Sequence, residues 1–317
     1  MGRNQLVFRK GESPFRFSPF FLLGTYFRGH RGVKSFSSSF PRLFSLTERV
    51  VDLLCPPLCI VCGSFPEWAE DLPECDPSAP ERLLLCERCR RTIVEEDHLQ
   101  CRRCAGPLAY SCSDSIGCGN CKKEKFCFDS AVALGEYQIP LSHQILSMKR
   151  ETSGVSAETF AALLWRERKT RLVAAGVDLV IPVPMHPLRY LLRGVNSAEQ
   201  IARVLAARLG VACKTNIVRR FRWTVRQATL SGNLRRTNIL GAFKVVPRRR
   251  NEIEGKTILL VDDVMTTGST CNEISRVLRR EGAASVHVAV LARTMVHLGI
   301  PVLRRTGRTA EQKSPTE

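Results

Sequence analysis

Acidic residues are missing from a long internal stretch of this 317-residue chain. Between Gln200 and Asn251 there is no Asp or Glu, while 13 Arg or Lys residues fall in the same window. Such a stretch favours anions, either phosphorylated small molecules or a nucleic-acid backbone. The alternative is a solvated basic surface, because the whole chain favours Arg, with 37 Arg against 11 Lys and a net charge of +18.

Long apolar runs are also missing. No run approaches the roughly 18 residues of a membrane-spanning helix, so we expect no membrane span. No secretory signal is visible either, and we expect a cytoplasmic protein. Aromatic residues make up only 7% of the chain, whereas the hydrophobic share of 44% and the charged share of 25% are ordinary for a globular protein. The length allows two domains of ordinary size.

The N-terminal 45 residues contain a single acid, Glu12, and are rich in Phe, Ser and Arg. We expect residues 1–46 to be a disordered extension or to follow from a start codon assigned too far upstream, with an organelle transit peptide as the alternative. Folded sequence is expected to begin near Thr47, with a short helix over residues 47–54.

Cysteines concentrate in one region, since 12 of the 14 lie between Cys55 and Cys127. Each C-x-x-C pair, or knuckle, can give two thiolates to one tetrahedral ion, so two knuckles complete a four-sulfur shell. Paired in sequence order, the knuckles are separated by 23 and 13 residues, near the usual spacing of zinc sites. We predict two structural zinc ions that stabilise the fold without chemistry of their own. The four knuckles are Cys59/Cys62, Cys86/Cys89, Cys101/Cys104 and Cys118/Cys121.

Other cysteine chemistries explain the pattern less well. A disulfide scaffold needs an oxidising compartment, an iron–sulfur cluster uses other spacings, and a thioredoxin-like motif accounts for one knuckle rather than four. Gly63 and Gly106 follow two of the knuckles and suit tight turns. Cys112 lies among the later knuckles, where it could replace a ligand. The cysteines without an assigned role are Cys55, Cys75, Cys112 and Cys127.

After Cys127 the apolar pattern changes to alternating strands and helices. This order predicts an α/β fold with a mostly parallel sheet flanked by helices. We place a small cysteine-rich domain at residues 47–128, the α/β domain at 129–295 and a disordered tail at 296–317. Strands are predicted at residues 131–137, 179–183, 242–246, 257–264 and 285–291, and helices at 140–148, 155–175, 197–209 and 270–281.

The segment ILLVDDVMTTGST carries the strongest chemical signal. Its first four residues are apolar, as in a strand buried on both faces. Asp262 and Asp263 follow at the carboxyl end of this strand, where open α/β sheets bind ligands. Their carboxylates can accept hydrogen bonds from two vicinal ribose hydroxyls.

A loop of hydroxyl residues around one glycine follows the acidic pair. A helix starts directly after it, with Thr270 and Glu273 at the spacing of a capping box. Backbone N–H groups at a helix start, the helix dipole and the hydroxyls together suit a phosphate. The loop residues are Thr266, Thr267, Gly268, Ser269 and Thr270.

VDDVMTTGST resembles the phosphoribosyl-diphosphate (PRPP) loop of type I phosphoribosyltransferases. The order of knuckles, IPVPMHPLRYLLRGVNSAEQIA, RRTNILGAF and GKTILLVDDVMTTGST resembles the ComF family of competence-associated proteins over residues 54–294. The resemblance implies a double zinc ribbon joined to a type I phosphoribosyltransferase fold. Family members are linked with DNA uptake or with gluconate utilisation. RGVNSA stands here where the family has RGFNQA, and MKR where it has a leucine, a lysine and an aromatic residue.

The resemblance also implies residue roles. Asp262 and Asp263 would hold the ribose hydroxyls, and residues 266–270 the 5′-phosphate. Mg²⁺ would accompany PRPP and bridge diphosphate and ribose oxygens. Lys149, Arg150 and Arg193 are candidates for contacting the leaving diphosphate, with a solvated cation as the alternative for each.

Two function classes stay open. The chain is either an enzyme that transfers a phosphoribosyl group from PRPP to an unidentified acceptor, or a non-catalytic accessory protein of competence machinery that binds PRPP, a nucleotide or single-stranded DNA. Zinc ribbons and the basic stretch favour the second class. Sparse aromatic residues in that stretch count against a base-stacking surface.

Overall fold

The computed structural model describes residues 58–65, 83–94, 100–108, 118, 121, 125–151, 153–222 and 239–294. Several expectations lie outside these residues: the extension at 1–46, the short helix at 47–54, the tail at 296–317, and the roles of Cys55, Cys75 and Cys112.

The described elements follow the predicted order of strands and helices closely. The helices are α1 (Glu87–Ile93), α2 (Leu141–Met148), α3 (Val155–Ala174), α4 (Pro187–Arg193), α5 (Ser197–Leu209) and α6 (Ser269–Arg280). The strands are β1 (Ser130–Glu136), β2 (Leu179–Pro182), β3 (Ala212–Cys213), β4 (Val218–Arg220), β5 (Phe243–Val245), β6 (Thr257–Met265) and β7 (Ser285–Arg293), with a 3-10 helix at Pro247–Glu252.

The main sheet has five parallel strands in the order β1-β7-β6-β2-β3. β6 lies at its centre, and the apolar run Ile258–Val261 is at most 1% exposed along its length. That burial confirms the prediction of a strand covered on both faces. Parallel strands align their carboxyl ends at one edge of a sheet, so the residues that end β6 meet the ends of β2 and β7 there.

Helices cover both faces of the sheet, as the alternating strand residues require. Ile258 and Leu260 pack in a cluster with Ile274 and Val277 of α6. Leu259 and Val261 pack in a second cluster with α3 and α5. The fold is therefore the predicted α/β class with a parallel sheet between helical layers. Among the described helices, none combines the length and apolar character needed to cross a bilayer.

One predicted strand belongs to a different sheet. The segment predicted as a strand at 242–246 forms β5, which pairs antiparallel with β4 in a separate two-stranded sheet. We call this sheet the β4–β5 ribbon. Both strands have three residues and alternate buried and exposed side chains, a pattern typical of a sheet with one solvated face. Local sequence does not reveal the partner of so short a strand.

Candidate functional site

The eight knuckle cysteines come together in two groups of four, paired in sequence order as predicted. In each group the Sγ atoms lie within 4.8 Å of one another. The two later knuckles alone supply four sulfurs to the second group. The first cysteine group is Cys59, Cys62, Cys86 and Cys89, and the second cysteine group is Cys101, Cys104, Cys118 and Cys121.

The sulfur spacing fits a tetrahedral metal shell. Four sulfurs at about 2.3 Å from one ion lie about 3.8 Å apart. The distance between the Sγ atoms is 3.6 Å for Cys62 and Cys86 in the first group. In the second group it is 3.7 Å for Cys101 and Cys121, 3.8 Å for Cys118 and Cys121, and 3.3 Å for Cys104 and Cys118. A disulfide needs about 2.05 Å, and every described cysteine is a free thiol. Both donor sets therefore fit zinc.

The knuckle turns use left-handed backbone, although at one unexpected residue. Gly63 has φ +73° and donates its N–H to the Cys59 carbonyl at 2.8 Å. In the second group the left-handed residue is Ala105, at φ +53°, rather than Gly106. The Ala105 N–H closes the same turn onto the Cys101 carbonyl at 2.8 Å.

The acidic pair lies near the carboxyl end of β6, within the strand rather than after it. Both side chains are half-buried. The Asp263 N–H donates to a carboxylate oxygen of Asp262 at 2.9 Å, which holds that carboxylate close to the backbone. Successive strand residues point to opposite faces, so the two carboxylates diverge.

Lys149 joins the acidic pair from the end of α2. Its Nζ lies 3.0 Å from a carboxylate oxygen of Asp263. Residues 149 and 263 are far apart in sequence, and the contact brings one predicted diphosphate ligand next to the predicted ribose site. A cation here offsets the charge of two neighbouring carboxylates.

Asp262 has a strongly perturbed pKa. Burial and the neighbouring Asp263 carboxylate raise the pKa of Asp262 to about 7, against the opposing effects of Lys149 and Arg220. A carboxyl group that titrates near neutral pH at a strand end is typical of a functional site.

The loop of residues 266–270, which we name the phosphate loop after its predicted ligand, turns sharply into α6. Gly268 adopts φ +80° and is the N-cap residue of that helix, which begins at Ser269. The hydroxyls of Thr267 and Ser269 lie 2.7 Å apart, and the Ser269 N–H donates to the Thr267 hydroxyl at 3.3 Å. Two hydroxyls and the start of a twelve-residue helix thus face the same position.

The predicted capping box is wrong. The N-cap residue is Gly268, which has no side chain, and Thr270 is the second residue of the helix. Glu273 is instead 4% exposed and accepts the Gly241 N–H at 2.9 Å. It also forms a bidentate pair with Arg276, whose Nε and Nη2 lie 2.9 Å and 2.7 Å from its two oxygens. The acid therefore joins α6 to the segment before β5.

Of the predicted diphosphate ligands whose side chains the structure describes, Lys149 contacts the acidic pair and Arg150 does not. Arg150 follows Lys149 but its side chain is exposed. Arg193 is the last residue of α4, and its side chain lies outside what the structure describes.

Arg220 acts electrostatically on Asp262, a role that the sequence reasoning missed. Its guanidinium carbon lies 5.5 Å from the centre of the Phe243 ring, on the covered side of the β4–β5 ribbon. Burial, and then repulsion from Arg189, lower the pKa of Arg220, while Asp262 raises it. The alternation in Val218-Arg219-Arg220 could have indicated an inward-facing cation, had the strand been recognised.

The acid-free stretch of the sequence is partly neutralised in space. Lys214 and Arg249 both pair with Glu252, at 2.9 Å and 2.7 Å. Arg203 pairs with Glu199 at 2.6 Å. Both acids lie just outside the stretch. These three paired cations therefore agree with the alternative that the stretch is a solvated basic surface.

Comparisons with known proteins show the family of this chain. The sequence profile of the phosphoribosyl transferase domain matches residues 191–301. Competence protein F of Haemophilus influenzae is 35% identical over 212 residues, which cover 66% of this chain and 90% of that protein. The chain belongs to the ComF family. DNA utilization protein YhgH of Salmonella typhimurium is 32% identical over 69% of this chain and 94% of its own length. Among solved structures, the allosteric regulatory enzyme of purine biosynthesis superposes with a TM-score of 0.31 and 21% identity, over 47% of this chain and 30% of that one.

The asparagine of the RGVNSA motif has a structural function in this ComF-family chain. Asn196 is the N-cap of α5 and accepts the Ala198 N–H at 3.2 Å. Its side-chain amide donates to the Val183 carbonyl at 3.3 Å, which fixes α5 to the end of β2.

Proposed function

We propose that this chain binds PRPP or ribose 5-phosphate at the carboxyl end of β6 and transfers the phosphoribosyl group to an acceptor. The observation that carries the proposal is the contiguity of an acidic pair, a left-handed glycine and a hydroxyl-lined helix start on one central strand. Sugar hydroxyls fit the carboxylates, and the 5′-phosphate fits the helix start. We place this activity in the cytoplasm, where thiols stay reduced.

The same residues account for the chemistry of transfer. The bond between the anomeric carbon and diphosphate breaks while a bond from the acceptor to that carbon forms, and positive charge develops on the sugar. Asp262 and Asp263 would lie beside that charge and stabilise it. Lys149, now on Asp263, would turn to the departing diphosphate. Mg²⁺ bound with PRPP would neutralise the diphosphate, and the carboxylate oxygens nearby are donors that suit it.

Binding is tested by calorimetry with PRPP and Mg²⁺ on the wild type and on the Asp262→Asn/Asp263→Asn variant. Each charged hydrogen bond lost should cost about 1.5–3 kcal/mol of binding free energy. Asp178→Asn is the matched control, because this carboxylate accepts the Thr257 N–H at the opposite end of β6. Equal affinity in the wild type and the double variant would make the acidic pair structural.

The position of the diphosphate is tested with two ligands. Lys149→Met should weaken PRPP binding and leave ribose 5-phosphate binding nearly unchanged, since only PRPP carries the diphosphate. Turnover is tested separately, by diphosphate release with purine, pyrimidine or nicotinate acceptors. If PRPP binds but no acceptor leads to diphosphate release, the binding site stands and the proposal of an enzyme is wrong.

A second function, binding of single-stranded DNA, is favoured by one surface. Arg219 and Lys244 are directly opposite each other on the exposed face of the β4–β5 ribbon. Like charges in that position destabilise a strand pair, so an anion on this face would relieve the repulsion. Lys244 Nζ also lies 5.7 Å from the ring centre of the exposed Phe221, which offers a surface for a base.

This second function predicts a steep loss of DNA affinity with salt. Arg219→Glu with Lys244→Glu should weaken binding to single-stranded DNA of every sequence. Arg203→Glu changes charge on the same domain but removes a cation already paired with Glu199, and should have a smaller effect. Equal effects of ribbon and control variants would assign the binding to net charge alone.

A further inference from the structure

The second cysteine group contacts the phosphate loop through Phe126, five residues after Cys121. A Cβ atom at Gly268 would lie 3.1 Å from the Phe126 ring, which is tighter than an ordinary contact. The Phe126 carbonyl accepts a hydrogen bond at 2.8 Å from Arg103, which lies inside the Cys101/Cys104 knuckle. The ring also stacks on Phe128, with centroids 4.7 Å apart. Phe126, Thr267 and Ser269 line one cleft.

A buried arginine makes a second connection between the same parts. Arg293 ends β7 and is 2% exposed. Its Nε donates to the Cys104 carbonyl at 3.0 Å, and its Nη1 donates to the Met265 carbonyl at 3.0 Å. Met265 is the residue directly before the phosphate loop. One guanidinium therefore holds a knuckle backbone and the loop entrance at a fixed separation.

The helix that follows the loop is held from the same side. The Cys127 N–H donates to the Asn272 side chain at 2.5 Å, and the Cys127 carbonyl accepts from Arg279 Nε at 3.1 Å. Both partners lie on α6. Phe126 and Cys127, which follow the last cysteine of the second group, thus contact both the phosphate loop and α6, the helix that begins at this loop.

The first cysteine group is attached elsewhere. Arg90 of α1 pairs with Glu167 of α3 at 3.0 Å. The Ile93 carbonyl closes over Gly135 of β1, where an added Cβ would lie 3.1 Å from it. These contacts lead to the helical layer of α3, on the other face of the sheet from α6.

We propose that Phe126 and Arg293 are positioning residues through which the metal shell of the second cysteine group sets the shape of the phosphate loop. This inference rests on the proposed function and names a regulation of the same site. Zinc at the second group would hold the loop ready for the sugar phosphate, and loss of that zinc would release it. Zinc at the first cysteine group would stabilise the residues around that group and would leave the phosphate loop unchanged.

The test compares one ligand removed from each group in the full chain. Cys121→Ser and Cys62→Ser each remove a peripheral sulfur, and metal analysis should find about one zinc fewer in each variant. By calorimetry, Cys121→Ser should bind ribose 5-phosphate about ten- to hundredfold more weakly, which corresponds to the loss of about one hydrogen bond to the charged phosphate. Cys62→Ser should bind it like the wild type. Equal affinities in all three would overturn the inference.

Variants with intact metal sites test the path directly. Phe126→Ala should weaken ribose 5-phosphate binding at unchanged zinc content, and Phe126→Leu should restore part of it because apolar contact returns. Ile93→Ala is the matched control, because it truncates a buried apolar side chain in α1, beside the first cysteine group. It should leave the affinity for ribose 5-phosphate unchanged. A Phe126→Ala protein that binds like the wild type would overturn the inference while the proposed function stands. Failure of the wild type itself to bind ribose 5-phosphate or PRPP would instead remove the proposed function.

Discussion

Position 268 needs a residue without a side chain for two separate reasons. Its φ of +80° is costly for any residue with a Cβ, and that Cβ would press on Phe126. Gly268→Ala should therefore destabilise the fold by about 1–2 kcal/mol and abolish most sugar-phosphate binding. Gly255, at φ +67° beside the amino end of β6, has nothing within 4 Å of an added Cβ. Gly255→Ala should share the backbone cost and keep the binding, as unfolding midpoints and calorimetry would show.

Asp262 should make stability depend on pH in a defined direction. Its folded pKa, about 7, lies above the ordinary value of 3.8, so the folded state holds the proton more tightly than the unfolded chain. Ionisation of Asp262 therefore costs stability increasingly as pH rises from about 4 to 7, and the cost is constant above that. We expect Asp262→Asn to stabilise the protein at pH 8 by about 1–3 kcal/mol more than at pH 5.

Urea unfolding of both proteins at pH 5 and pH 8 measures this difference. Thiolate titration in the cysteine groups affects both proteins alike and cancels. If Asp262→Asn stabilised the protein equally at pH 5 and at pH 8, the folded pKa of Asp262 would not lie between these two pH values.

Among the elements, α6 depends on one buried acid for its attachment. Removal of Glu273 leaves the Gly241 N–H and the Arg276 guanidinium without this partner. We expect Glu273→Ala to cost about 2–3 kcal/mol of the free energy of unfolding. Glu199→Ala, which breaks the exposed pair with Arg203 on α5, should cost less than about 1 kcal/mol. Denaturant unfolding compares them, and equal costs would mean that Glu273 contributes no more than a surface pair.

For the whole molecule, the two cysteine groups predict a metal content. Purified, reduced protein should contain about two equivalents of zinc. Removal of zinc with a chelator should lower the thermal unfolding midpoint, because metal binding to such sites contributes folding free energy. Folded protein with no zinc would show that the eight thiols pack without an ion.

The sequence by itself determined the features that depend on neighbouring residues. Knuckle spacing predicted both cysteine groups, and apolar periodicity predicted α5 with its exact ends and β6 within one residue. The order of strand, acids, hydroxyls and helix placed the candidate site. These patterns are readable because the spacing of residues along one element fixes which side chains share a face.

Only the tertiary structure decided which distant parts meet. It placed Lys149 on Asp263 and β5 against β4 rather than in the main sheet, and it let the charge of Arg220 act on Asp262. It moved Glu273 from a helix cap to a buried link, and it set the second cysteine group against the phosphate loop through Phe126 and Arg293. Such contacts join residues many positions apart, and they form because buried polar groups must find partners that local sequence does not specify.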